Sequence, residues 1–462
     1  MTAGTATSVA LLGVVPILAG FFLLSSPLGP LLAIASLSLG IVVAARTLNS
    51  RQGSILELGV FYAVVVALYG IYPLGVYWLN GDAFLPTNDM RLYLAQPTPQ
   101  EVASVGWFYV VYLAAFVMAY LLLRGPIQNR GAVLHGRSNN TVVLLLGIYL
   151  LIQMSLLGME WIAGFERTTY AGSYLRYKDL PLLAQQLAKH LEWIATALKI
   201  AAVTALATNF KKYWVLIAVW IGVEVFFVIY GLGSRTELFV MLAALAIGYD
   251  YVVRPLKAKQ IMMFGISGLL LFLVLGVIRS GGDIADTPVL LVTSAGEFES
   301  VFATALEISD LVSTASVGDV PTSAFFGDVL SFVPQQLLPF VKWDFATWYV
   351  TEFHYQYHES GGGLAFGVIP ESMLGLGMVG LVIRGVVIGV LFAIAVRVAM
   401  NRRTSFWIAA LYVWLTVQSY LMFRSGGIPL LPMLILGFLP AVVMIKTLDL
   451  DRRTQKLMER AE

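Results

Sequence analysis

The chain has 462 residues, 59% apolar and only 12% charged, against roughly 45–50% and 25% in an ordinary soluble domain, which excludes a water-soluble fold. Its 29 Lys and Arg nearly balance 27 Asp and Glu, for a formal net charge of +2, so charge gives no sign of an acidic partner and no nucleic acid is expected. There is no cysteine, which excludes disulfides, thiolate catalysis and Cys-ligated zinc or iron–sulfur clusters.

A membrane-spanning helix needs about 20 mostly apolar residues. Twelve such windows follow along the chain: 9–25, 28–45, 55–79, 101–123, 141–158, 190–208, 214–231, 237–253, 261–279, 366–397, 405–424 and 427–446. The first has no basic stretch before it and runs directly into the second, so it is expected to stay as a helix and not to be cleaved as a signal peptide. Short loops retained on the cytoplasmic side are rich in Lys and Arg. With the N-terminus inside, alternate connections carry Arg46 and Arg51; Arg124, Arg130 and Arg137; Lys211 and Lys212; Arg254, Lys257 and Lys259; and Arg397, Arg402 and Arg403. The tail adds Lys446, Arg452, Arg453, Lys456 and Arg460, bringing 18 of the 29 basic residues to one side. The expected fold is therefore all-α, one transmembrane domain over 1–462 with about twelve helices and both ends in the cytoplasm.

Three outside segments are long: about 80–100, 159–189 and 280–365. In the last, between spans nine and ten, Phe298, Val301, Ala305, Ile308 and Val312 recur at helical spacing with Glu299, Glu307 and Asp310 off that face. That pattern predicts an amphipathic helix lying on the membrane. Pro334, Pro339, Trp343, Trp348, Tyr349, Tyr355 and Tyr357 follow; they read as a proline-broken interfacial lid or as an ordinary aromatic belt. No inverted repeat of the transporter kind is visible.

Eleven basic residues remain. Arg91, Arg167, Arg176, Lys178, Lys189 and Lys342 fall in outside segments, and Lys199 lies mid-span, where Glu192 or Glu224 is its expected partner. Arg235, Arg279, Arg384 and Arg424 all fall at or near outer helix ends. A single arginine there is more often a snorkelling anchor. Three of the four, however, sit beside glycine, in GLGSRTE, VIRSGG and FRSGG, where close backbone and a guanidinium fork together suit phosphate oxygens. Arg384 differs: it lies within a long helix, about 9 Å below the outer surface if that span begins near Met378. Together the four favour an anion site, and a lipid diphosphate is the natural anion at that depth.

His354 and His358 are four apart in TEFHYQYHESGGG, on one face if helical. There is no HExxH frame and no third ligand, so no metal is expected, and a general base is the better role for either histidine. Glu371, in VIPESMLGLG at the entrance of span ten, is a second candidate base or a residue that orients the arginines. Glu359, Asp283 and Asp286 are weaker candidates in outside loops. No nucleotide-binding or hydrolase signature occurs.

The strings FVPQQLLPFVKWDF and ESGGGLAFGVIPESMLGLGMVGLVIRG, with the long helix ending at Arg397, resemble the C-terminal half of bacterial oligosaccharide repeat-unit polymerases of the O-antigen polymerase (Wzy) type, and GLGSRTELF is similar to a turn those proteins carry earlier. The resemblance covers residues 230 to 446. It departs from the family at Gln335, where an arginine is expected, and at Lys342 followed by Trp343, where lysine is usually followed by proline. It implies a polytopic C-type glycosyltransferase of the bacterial inner membrane, with its active site facing the periplasm and 280–365 as the large periplasmic loop. Undecaprenyl-diphosphate-linked oligosaccharides are then donor and acceptor, and Arg235, Arg279, Arg384 and Arg424 hold the diphosphate near Glu371. It further implies membrane lipids and a chain-length regulator protein as partners, with no cofactor. Two alternatives stay open. An O-antigen ligase would hand the same glycan to lipid A core and use a catalytic histidine, whereas a lipid-linked oligosaccharide flippase would spread ionisable residues through the midplane.

Overall fold

The computed structural model describes residues 23–48, 56–80, 97–125, 139–164, 177, 180–229, 235–279, 296–330, 333, 337–359, 363–401, 405–425 and 430–458. Among them there are helices and turns but no strand. In chain order come α1 (Leu28–Leu48), α2 (Leu58–Asn80), α3 (Pro99–Arg124), α4 (Asn139–Ile162), α5 (Leu182–Thr208), α6 (Phe210–Ile229), α7 (Arg235–Val252) and α8 (Ala258–Arg279). Next are α9 (Gly296–Ser313), α10 (Thr322–Phe325), α11 (Gly327–Leu330), α12 (Phe345–Phe353), α13 (Tyr355–Glu359), α14 (Val368–Leu374), α15 (Gly377–Asn401) and α16 (Phe406–Arg424). The last helix opens as α17 (Leu430–Met433), passes through a π-helical turn at Leu434–Phe438 and continues as α18 (Leu439–Met458).

Eight helices among the described residues are long and apolar enough to cross a membrane: Leu28–Ala45, Leu58–Leu79, Pro99–Arg124, Thr141–Ile162, Leu182–Thr208, Gly377–Asn401, Phe406–Arg424 and Leu430–Leu448. The windows at 214–231, 237–253 and 261–279 also fall on helices, α6, α7 and α8, while 9–25 lies almost wholly outside the described residues. The window at 366–397 is divided. α14 ends at Gly375, and α15 starts at Gly377, whose φ of +56° is a left-handed backbone that suits glycine.

Where the sequence reads as one continuous domain, contacts group the chain into two compact units. The first takes Met1–Gly131, Arg254–Arg402 and Gln418–Pro429; the second takes Ala132–Val253, Arg403–Val417 and Leu430–Glu462.

The first unit is built around α3. Its start is fixed by Thr98 and Glu101: the Thr98 hydroxyl accepts from the Glu101 N–H at 3.3 Å, Glu101 Oε2 accepts from the Thr98 N–H at 2.7 Å, and Pro99 follows at the first helical position. Against α3 lies α15, through two glycines four residues apart. A Cβ at Gly385 would stand 2.8 Å from the Tyr112 carbonyl oxygen, and one at Gly389 2.7 Å from that of Phe116. Small residues at this spacing let two apolar helices bring their backbones together without a hydrophobic driving force from water.

Two expectations are corrected in this unit. α9 does not lie as an amphipathic helix on a surface. Val301, Phe302, Ala305 and Ile308 are fully buried, Glu299 and Glu307 are buried as well, and Val312 is the exposed one. The aromatic rings of α2 and α3 receive it: Phe298 meets Tyr69 at 5.3 Å and Phe302 meets Tyr109 at 5.5 Å. Nor do Trp348 and Tyr349 belong to an interfacial belt, since they close with Phe345, Phe366 and Ile308 into a core of their own; Trp343 and Tyr357 pack partly buried against it, and Tyr355 is exposed. The Asp344 carboxylate starts α12 by accepting from the Thr347 N–H at 2.8 Å. Lys342 donates to the carbonyls of Leu330 and Val333 at 3.2 Å each, which ties down the proline-containing segment; Gln335 lies outside the described residues.

In the second unit α5 is central. A Cβ at Gly248 of α7 would stand 3.6 Å from the Thr204 Cα, and one at Gly437, within the π turn, 2.8 Å from Trp193. Aromatic pairs close the rest, with Tyr251 stacked on Tyr412 at 4.5 Å and Trp414 beside Phe438 at 5.6 Å.

Candidate functional site

Arg384 precedes Gly385, the first glycine of the α15–α3 crossing, so a close approach of two backbones fixes its height. It stands seven residues beyond Gly377, about 10 Å along the helix. Its Nη2 donates to Glu371 Oε1 on α14, with side-chain exposures of 30% for the arginine and 6% for the glutamate. Charge-assisted bonds of this kind are short and directional. Here the pair turns a buried carboxylate toward a guanidinium that remains partly open. On α3, the Tyr112 hydroxyl shares a hydrogen bond with the Tyr62 hydroxyl.

Gly367 sets the entry of α14. Its φ is +75°, and a Cβ there would meet Val301 Cγ1 at 2.5 Å and the Phe423 carbonyl at 3.0 Å. Only glycine fits both the conformation and the space. Glu371 is therefore placed by a turn wedged between α9 and the end of α16, and Arg424, in the last turn of α16, is half-buried next to that contact. Glu371, Arg384 and Arg424 thus lie on three adjoining elements of one unit.

The other two arginines are described only by their place in the backbone. Arg235 is the first residue of α7 and Arg279 the last of α8; their side chains lie outside the described residues, as do Asp283 and Asp286. Convergence of all four is not part of the described geometry.

The histidines separate. His354 ends α12 and is buried, with Nε2 3.1 Å from Glu307 Oε1 and 3.3 Å from the Tyr349 hydroxyl, which itself donates to Glu307. With side-chain exposures of 3% and 4%, His354 and Glu307 tie α12 to α9 inside the aromatic core. His358 lies one turn on, half-buried, its backbone N–H bonded to the His354 carbonyl at 3.0 Å. The His354 imidazole is thus taken up by Glu307 and Tyr349, while the i→i−4 backbone bond keeps His358 one helical turn away. Glu359 is exposed at the end of α13. Among the described residues no group of three His, Asp or Glu is placed to hold a metal ion.

Three polar pairs escape a reading of the sequence, Glu57–Arg124, Glu307–His354 and Glu237–Lys199. Arg124, expected only as a topology-setting charge, is buried and gives both Nε and Nη2 to Glu57, to which Tyr120 also donates. Glu307 becomes the partner of His354. In the second unit Lys199 reaches the expected Glu224 at 2.7 Å, and also Glu237 at 3.0 Å, where Glu192 was the other candidate. Glu192 instead accepts from Tyr177 at 3.3 Å. Sequence spacing signals none of the missed pairs, because each joins separate helices.

Among the described residues the protein is all-helical, with eight helices long and apolar enough to cross a membrane and a carboxylate–arginine pair set by glycine contacts in one unit. Comparison with family models, curated proteins and solved structures returned no match.

Proposed function

We propose that the chain is a membrane glycosyltransferase that polymerises undecaprenyl-diphosphate-linked oligosaccharide repeat units. The observation that carries this is the Glu371–Arg384 pair, a buried carboxylate against a partly open guanidinium, with Arg424 on the adjoining helix end. In the proposed reaction Glu371 takes the proton of an acceptor hydroxyl, the oxygen attacks the anomeric carbon, and the bond from that carbon to the diphosphate oxygen breaks. The diphosphate leaves with the electron pair, and fixed arginine donors stabilise the charge that develops on it. Donor and acceptor each carry a lipid diphosphate, so the chemistry has work for more than one arginine group, Arg235 and Arg279 included.

With this function go twelve spans, both termini in the cytoplasm of a bacterial inner-membrane protein, 280–365 as a periplasmic segment, a site open to the periplasm, and a chain-length regulator as partner. The ligase alternative draws on a catalytic histidine; His354 is engaged with Glu307 and Tyr349, and His358 stays open to that role. Purified protein in liposomes, given lipid-linked repeat units alone, is expected to produce a ladder of polymer and release undecaprenyl diphosphate. No ladder, or glycan passed only to added lipid A core, would overturn the assignment.

A further inference from the structure

Lys199 is a buried ammonium in the middle of a candidate membrane span, a position that carries a large desolvation cost unless it is repaid. Its partners come from two other helices. Nζ is 2.7 Å from Glu224 Oε1 on α6, 3.0 Å from Glu237 Oε2 on α7 and 3.3 Å from the Glu237 backbone carbonyl. An ammonium has three donors, and these contacts use all three. Glu224 is itself steadied by Trp220, whose Nε1 donates to Oε1 at 3.2 Å and whose ring packs on Tyr149 of α4 at 5.5 Å. The cluster thus joins α4, α5, α6 and α7.

The bond to the Glu237 carbonyl is the informative one. A simple neutralising pair needs only carboxylates, whereas Lys199 also grips main chain within the first turn of α7. That turn begins with Arg235, two residues earlier. We infer that Lys199 is a positioning residue: from inside the second unit it clamps the first turn of α7 and so fixes where Arg235 begins its helix for phosphate recognition. The inference rests on the proposed role of Arg235 toward lipid diphosphate and adds the group that sets it. Glu224 anchors the ammonium from the far side, so that the clamp does not swing with α7.

The test uses the full chain in liposomes with lipid-linked repeat units, and reads KM, kcat and thermal unfolding for Lys199→Met, Arg235→Ala and the double variant. Misplacing a binding group by about 1 Å can cost 10²-fold, so Lys199→Met is expected to raise KM about tenfold or more with a smaller change in kcat. The double variant should be no worse than Arg235→Ala within about twofold, because both changes remove the same contact. Full additivity, or a folded Lys199→Met with unchanged KM, would overturn the clamp while leaving the diphosphate role of Arg235 standing. An Arg235→Ala protein with normal KM would overturn that role and the inference with it. If Lys199→Met does not fold, the triple variant Lys199→Met, Glu224→Leu and Glu237→Leu, which removes the carboxylates left buried without their cation, replaces it under the same expectations.

Discussion

The first unit holds two arginine–glutamate pairs of opposite character. Glu57 and Arg124 have side-chain exposures of 0% each, their contact is two-pronged, and Tyr120 donates to the same Oε1 that accepts from Arg124 Nε. In the other pair Arg384 Nη2 donates to Glu371, and the Arg384 side chain is 30% exposed. The same two residue types therefore do different work. A sealed pair has no route for a ligand and can only hold helices together, whereas a half-open pair keeps donors within reach of an incoming anion. Openness, rather than the presence of an ion pair in an apolar protein, is what marks a candidate site.

The largest effect is expected from breaking the sealed pair. Replacing Glu57 by Ala leaves the Arg124 charge buried without its carboxylate, which costs about 3–5 kcal/mol, and should show as a large loss of thermal stability and of folded protein in the membrane. Replacing Glu57 and Arg124 together by Leu should recover most of it. If Glu57→Ala melts like the parent protein, the contrast between the two pairs fails.

Arg384→Lys is the counterpart. Lysine keeps the charge but loses the fork, so turnover should fall about 100-fold, the size seen when one oriented donor to a developing oxyanion is removed, while stability shifts by about 1 kcal/mol or less, as for other partly exposed pairs. A variant that loses stability but keeps turnover would make Glu371–Arg384 a second lock.

How far these pairs can be read from the sequence follows from what each is made of. Arg384 and Glu371 stand out because charge is scarce and the nearby LGLG and VIRG strings are unusual within a long apolar run. The helices show for the same reason, since a 20-residue apolar stretch has few other uses. Arg124, by contrast, looks like any basic residue at a cytoplasmic span end, and its partner is 67 residues away. α9 misleads because three acids off an apolar face normally mean solvent; here Glu307 is buried against Tyr349 and His354. Local periodicity reports which face is apolar. It cannot report that a second set of polar groups waits on the neighbouring helices.

The crossing that sets the height of Arg384 offers a graded test. Gly385→Ala places a Cβ 2.8 Å from the Tyr112 carbonyl, so α15 must move away from α3. Overpacking of this size costs about 1–3 kcal/mol, and the displaced arginine should lower turnover more than the stability loss alone explains. Gly389→Ala meets a similar obstacle, 2.7 Å from the Phe116 carbonyl, but four residues further from the pair. It should cost comparable stability with less effect on turnover at temperatures where both variants are folded. Equal effects on turnover would mean that the crossing serves only to pack the helices.

The smallest effect is expected at the rim of the sealed pair, and it sharpens what sealed means. The Arg397 Nε donates to the Arg124 backbone carbonyl at 2.9 Å, but its side chain is exposed. Its contribution is therefore that of one hydrogen bond in competition with water, about 1 kcal/mol. Arg397→Ala should lower the unfolding temperature slightly and leave turnover unchanged, although Arg397 approaches the same helix end as the buried Arg124. A loss as large as that of Glu57→Ala would show that the stability of this helix end rests on the whole arginine cluster. Burial of Glu57 and Arg124 would then no longer be what separates the sealed pair from the open one.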